Sequence, residues 1–256
     1  AKQLAWKSVS VPAIMPKPDV LALTGGYLKT PFLQVGADIY CDTALIADVL
    51  EHVQPEPALY PPPLKGVSRV FAQWADSTLF WASMAYNLSP RGAAEMFAGA
   101  PPEAARAFAE DRKAMSGGMT RLRPGDAASA YRSYLRRIAH MAEEHDFLFG
   151  AAPCTADFAA YHPLWFTRTR VPGMAPILDA TPAVLEWMDR VAALATAAPR
   201  SSARPTPSRW PRRLTPCPRV PTCWWTAPSR TTMASRWAAR SASRPRASGP
   251  RPPRAS

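Results

Sequence analysis

The sequence predicts a small α+β unit followed by an all-helical bundle, with a C-terminal tail that does not read as folded protein. Three observations carry this. Short alternating segments broken by glycine-containing turns occupy the first 54 residues, helical periodicity fills residues 66–198, and both patterns stop at residue 199. A chain of 256 residues suits one large domain or two small ones and can bury a core without disulfides or metals. The expected divisions are 1–54, a linker over 55–65, a helical domain over 66–198, and a disordered tail over 199–256.

Each element has a local reason. Residues 6–11 alternate apolar and polar, a strand pattern. Residues 12–18 are a proline-punctuated loop, and Thr24-Gly25-Gly26 is a turn signal. Residues 30–35 and 37–40 flank Gly36 and form a hairpin. A helix follows over 43–53, with Ile46, Val49, Leu50 and Val53 at i, i+3, i+4 and i+7 and Asp42 or Thr43 as its cap. Prolines between 55 and 63 make a connector suited to joining two domains.

Beyond the connector the pattern is helical. Val67, Val70, Phe71, Trp74, Thr78, Trp81, Ala82 and Ala85 line one stripe of a long helix. A second helix spans 102–115. A third starts near Asp126 and buries Tyr131, Leu135, Ile138 and Ala142. Another runs from near Cys154 to Trp165. The last has Thr181 as cap and Pro182 at its first position, and buries Val184, Leu185, Met188 and Val191.

The formal charge of +12 comes from the tail. Residues 199–256 hold 13 of the 31 basic residues and none of the 19 acidic ones, so the rest of the chain, at 18 against 19, is nearly neutral. Twelve of the 58 tail residues are proline, and single apolar residues there never form a periodic set, so the tail cannot bury enough surface to offset its chain entropy. Two readings fit: an arginine-rich arm that binds nucleic acid by counterion release, or a GC-rich coding region read out of frame after about Ala195. The lack of lysine and the presence of Cys223-Trp224-Trp225 favour the second and argue against a nucleic-acid partner.

Cys41, Cys154, Cys217 and Cys223 show neither a CxxC pair nor ligand-spaced histidines, so no zinc pattern is present and reduced thiols are expected. No run of 18 apolar residues and no signal pattern appears, which sets the expectation of a cytoplasmic protein without a membrane partner. His52, His140, His145 and His162 stand apart and read as structural.

The succession from Thr24 to Val35 followed by Ala37-Asp-Ile-Tyr-Cys-Asp-Thr-Ala-Leu-Ile46 resembles the glutathione-binding half of the glutathione S-transferases. Phe149-Gly-Ala-Ala-Pro-Cys-Thr-Ala-Asp-Phe158 resembles the start of the helix that nucleates that family's second domain, and residues 187–190 resemble its last core helix. The resemblance covers about residues 2–198. It implies a thioredoxin-like domain, here incomplete, joined to an all-helical domain, and a homodimer that uses glutathione as co-substrate for small electrophiles.

The resemblance also implies site residues. Thr30, before a cis Pro31, would present its backbone to the cysteinyl part of glutathione. Asp42 and Thr43 would hold the γ-glutamyl carboxylate at a helix start, where unpaired N–H groups and the dipole favour an anion. Leu45 is bulkier than the family's usual residue there. Lys29 would meet the glycyl carboxylate or else be a solvated surface lysine. Phe80, Trp81, Met84, Tyr86 and Trp165 would border the electrophile pocket, although aromatic stripes at this spacing are commonly core. Asp157 reads as a folding residue in a capping box whose cap, Cys154, is a poor acceptor.

Residues 1–6 resemble the turn after the family's first helix, so the Tyr, Ser or Cys that activates the thiol is assigned to no residue here. The expected consequence is low stability for the chain alone. Two rivals to the enzyme reading are a non-catalytic binding or assembly module of the same ancestry and a nucleic-acid binder acting through the arginine tail.

Overall fold

The computed structural model describes residues 2, 4–116, 122–194 and 200–201, all within one contact unit, Ala1–Arg213. The element order is β1 (Lys7–Ser8), α1 (Pro18–Thr24), β2 (Phe32–Val35), β3 (Asp38–Cys41), α2 (Thr43–Val53), α3 (Lys65–Trp74), α4 (Phe80–Asn87), α5 (Pro90–Met96), α6 (Pro102–Met115), α7 (Pro124–Glu144), α8 (Thr155–Trp165), α9 (Pro182–Ala193) and β4 (Arg200–Ser201).

The hairpin forms as the alternation requires. β2 and β3 pair antiparallel, Phe32 opposite Cys41 and Val35 opposite Asp38, around Gly36 at φ 61. β1 is only two residues long and pairs in parallel with β4, Lys7 opposite Arg200. Arg200 and Ser201 form that short partner strand, which covers the open edge of β1. The rest of the tail lies outside the described residues.

Helix α1 occupies part of what the prolines mark as loop. Pro18 sits at its first turn, where a missing N–H costs nothing, and Gly25 at φ 67 ends it by donating to the Leu21 carbonyl. Seven residues with one buried side chain, Val20, give too short a period to recognise.

The long helix from 65 to 87 is interrupted by a π-turn over Ala75–Leu79. Its buried stripe also differs from the expected one. Ser68, Ala75, Leu79 and Ala82 face inward, whereas Val67, Val70 and Trp81 are exposed, Val70 by 71%. The physical reason is Ser68. Its hydroxyl donates to the Lys65 carbonyl, so a polar residue occupies the core face without penalty and hides the true stripe.

The core lies among α4, α7, α8 and α9. Leu79, Tyr131, Leu135, Ile138, Leu164, Leu178, Val184, Trp187 and Met188 are almost wholly buried. Each contributes on the order of 1.5–3 kcal/mol of transfer energy before entropy is counted. Leu185, expected inside, is only half-buried, and Trp187 takes the interior place on α9. Gly92 is required by packing, because a Cβ there would meet the Asn87 carbonyl oxygen at 1.9 Å. A second π-turn, Phe166–Arg170, follows α8 and buries Thr167, whose hydroxyl joins Asn87 and Tyr131.

The start of α8 is held by Asp157. Its two carboxylate oxygens accept N–H groups from Leu148, Cys154 and the Trp187 indole at 2.8–2.9 Å. Cys154 and Asp157 complete the capping box despite the weak sulfur acceptor. Burial first, and the Asp157 charge second, push the Cys154 thiol up to about 12, so it stays protonated.

Candidate functional site

Helix α2 begins abruptly. Asp42 caps it with φ 83, the one non-glycine residue at positive φ among the described residues. Its Oδ1 accepts the Ala44 N–H at 2.9 Å. A side chain held at such a φ costs on the order of 1–3 kcal/mol, and such strain clusters at ligand sites. Thr43 begins the helix, and its hydroxyl faces Asp76 Oδ2 on the 65–87 helical run at 3.5 Å. Asp76 lies in the π-turn, a feature common at functional positions.

The electrostatics mark the same corner. Desolvation raises the Asp76 carboxyl above its ordinary value, and the Asp42 charge adds to the rise, while the Thr43 hydroxyl partly offsets both. Tyr27 is raised too, first by burial and then by the Asp42 and Cys41 charges.

The other sequence candidates sort into two groups. Thr30 and Pro31, joined by a cis peptide, lie at the start of β2, on the end of the hairpin that leads from β3 into Asp42. Lys29 beside them is exposed. Lys17 was not anticipated, because the prolines around it read as loop. It is buried, and its ammonium has one long bond, 3.5 Å to the Leu28 carbonyl, with no carboxylate partner among the described residues.

The aromatic candidates do not converge. Phe80 stacks on His162 with centroids 6.0 Å apart and meets Trp81 edge-on. Trp81 and Trp165 keep 41% and 36% of their surface exposed. Met84 is buried, and Tyr86 turns toward the bundle interior, its ring against Tyr131 and its hydroxyl donating to the Met174 carbonyl. Helical spacing sets residues 80 and 86 about 120° apart around α4, so the two side chains leave it in different directions. Burial lowers the His162 pKa, so this ring is neutral at pH 7.

A concavity of about 360 Å³ lined by Glu143, Glu144, His145, Asp146 and Arg190 shares no residue with either group. Among the described residues no three His, Cys, Asp or Glu side chains converge as a metal site, and no helix is long and apolar enough to cross a membrane.

Two sequence models of one family match the chain. The glutathione S-transferase N-terminal domain matches residues 1–58, and the glutathione S-transferase C-terminal domain matches residues 93–190. The chain belongs to the glutathione S-transferase family. Among solved structures it resembles a GST-like protein from Pseudomonas syringae at 39% identity and TM-score 0.56, over 75% of this chain and 59% of that one. It also resembles the glutathione S-transferase CsGST63524 of Ceriporiopsis subvermispora, crystallised in complex with glutathione, at 18% identity and TM-score 0.50, over 76% and 78% of the two chains. The second likeness speaks for the fold alone. This chain spans less than two thirds of the Pseudomonas protein. No curated protein matches it in sequence. The strained Asp42, Thr43 and the cis Thr30–Pro31 peptide thus sit within the matched N-terminal transferase domain, while Asp76 falls between the two matched segments.

Proposed function

We propose that the chain binds glutathione at the start of α2, and that the longer protein it represents transfers the tripeptide to a small electrophile. The observation that carries this reading is Asp42 held at φ 83 beside Thr43 and Asp76. In this reading the Thr43 hydroxyl and the α2 N-terminus receive the γ-glutamyl carboxylate. Asp76 receives the neighbouring ammonium, and neutralisation by that cation offsets the cost of its own desolvation. The Thr30 backbone meets the cysteinyl portion. Lys17, with no carboxylate partner among the described residues, is a better receiver for the glycyl carboxylate than the exposed Lys29.

The electrophile would lie against Phe80 and Trp81, the aromatic candidates that follow Asp76 most closely on the same helical run. No residue is assigned to thiol activation. A homodimer and a cytoplasmic location belong to this reading through the resemblance. The exposed Val67 and Val70 on α3 suit contact with a second copy.

Calorimetric titration of the chain with reduced glutathione and with its desamino analogue tests the assignment. The reading expects binding of the first and weaker binding of the second. Equal affinity removes Asp76 from the site, and no heat with either removes the site.

A further inference from the structure

Helix α2 carries the proposed ligand end yet buries none of its side chains fully. Its half-buried side chains rest against the β2–β3 hairpin, and polar ties to the connector and to α3 add to that packing. Asp48 accepts both amino groups of the Arg69 guanidinium from α3, at 2.5 and 3.3 Å. Arg69 also lies 3.9 Å above the Tyr60 ring of the connector. One turn further along, Glu51 accepts the Leu59 N–H at 2.8 Å and the Lys2 ammonium at 2.5 Å. Lys2 in turn donates to the Gln54 and Pro55 carbonyls at the C-terminal end of α2.

Two contacts then define how α2 lies along the helical unit: Thr43 with Asp76, and Asp48 with Arg69. They run in opposite chain order, so the two helices pass antiparallel. Arg69 and Asp76 are seven residues apart, about two turns, which places both on the stripe that faces α2. The guanidinium is a planar fork that fits a carboxylate in one orientation, so this contact fixes rotation as well as distance. Tyr60 is 6% exposed, and burial, with the Asp48 charge second, pushes it up to about 12, so it stays neutral and serves as the floor on which Arg69 rests.

We propose that Arg69 is a positioning residue for the ligand site: its fork on Asp48 sets the register between α2 and α3, and so the separation of Thr43 from Asp76. The proposal rests on the glutathione reading of that end of α2. Arg69 touches no ligand itself. Loss of the fork frees α2 to turn on its single polar edge and widens the corner that receives the γ-glutamyl group.

The test compares the full chain with Arg69→Ala, Asp48→Asn, the double variant and Arg69→Lys, by glutathione calorimetry and by amide hydrogen exchange without ligand. Each single variant is expected to weaken binding about two- to fivefold, the range of a half-exposed, geometrically good ion pair. The double variant is expected to weaken it no further, since one interaction is removed twice. Arg69→Lys keeps the charge without the fork and restores part of the affinity. Exchange should quicken at the α2 amides and stay unchanged in α8 and α9.

Where the parent binds and Arg69→Ala binds equally well, or where the two single losses multiply in the double variant, the positioning role is wrong while the ligand reading stands. Unchanged α2 exchange in every variant overturns the proposal in the same way. A parent that takes up no glutathione overturns the ligand reading and this proposal with it. If Arg69→Ala fails to fold, Asp48→Asn and Arg69→Lys supply the same comparison.

Discussion

Two aspartates start two helices in this molecule, and they are built for different ends. Asp157 at α8 is wholly buried, and its two oxygens accept three N–H groups from three separate segments. Asp42 at α2 is exposed, accepts one N–H, and sits at φ 83. The first arrangement satisfies a buried charge with donors supplied by the fold, which is what a stabilising carboxylate needs. The second keeps strain and a neighbouring acid, Asp76, that has no cationic partner among the described residues, at a surface where a ligand can reach both. A carboxylate whose donors are all internal serves folding, and one left strained beside a like charge suits the binding role proposed for Asp42.

The largest expected effect breaks the folding side of the comparison. Asp157→Ala would orphan the Leu148, Cys154 and Trp187 N–H groups inside the core. Stability in urea should fall by about 3 kcal/mol or more. A loss under about 1 kcal/mol would show that the three donors find other partners and that Asp157 is no hub.

On the binding side, Thr43→Ala should leave the urea midpoint close to the parent's and weaken glutathione binding roughly tenfold, the value of a hydrogen bond to a charged group. Equal affinity for parent and variant would detach the helix start from the ligand.

The pH response of Asp76 sharpens the contrast. Its pKa is raised in the folded chain, so the folded state holds this proton more tightly than the unfolded one. The ionised form therefore costs stability at neutral pH, and that cost fades as pH falls through the raised pKa. In the proposed site, ligand binding needs the ionised form and should weaken over the same window. Asp76→Asn should slightly stabilise the free chain at pH 7, bind glutathione less well, and lose this part of the pH dependence. A variant that is destabilised at pH 7 would contradict the assignment.

The smallest effect concerns the strain itself. Asp42→Gly suits φ 83 and gives up a cap that glycine replaces at a cost of a few tenths of a kcal/mol, so a net gain of up to about 1 kcal/mol in thermal stability is expected. A clear loss of stability would mean that the Asp42 cap matters more than its strain.

Much of this was legible in residues, and what was not has physical causes. α2 was readable to its ends, because its apolar spacing and its cap residues agree. α9 announced itself through proline at its first position. α1 and α5 were not read, since seven residues carry less than two periods of pattern. The π-turns left no mark, because they arise from packing between helices rather than from local preference. Of the site, Thr43 and Asp42 could be read as a helix start. Asp76 looked like any polar residue on an amphipathic helix, and its role follows only from the approach of α2 in three dimensions. Lys17 was hidden for the same reason: burial without a counter-charge has no sequence signature.

The most direct test of the central claim is an amide-resolved NMR titration of the chain with reduced glutathione. Binding at the start of α2 predicts shifts at the amides of Thr43, Ala44 and Asp76, with the Asp157 cluster unmoved. Shifts centred instead on the concavity around Glu143, His145 and Arg190, or none at millimolar ligand, would contradict it.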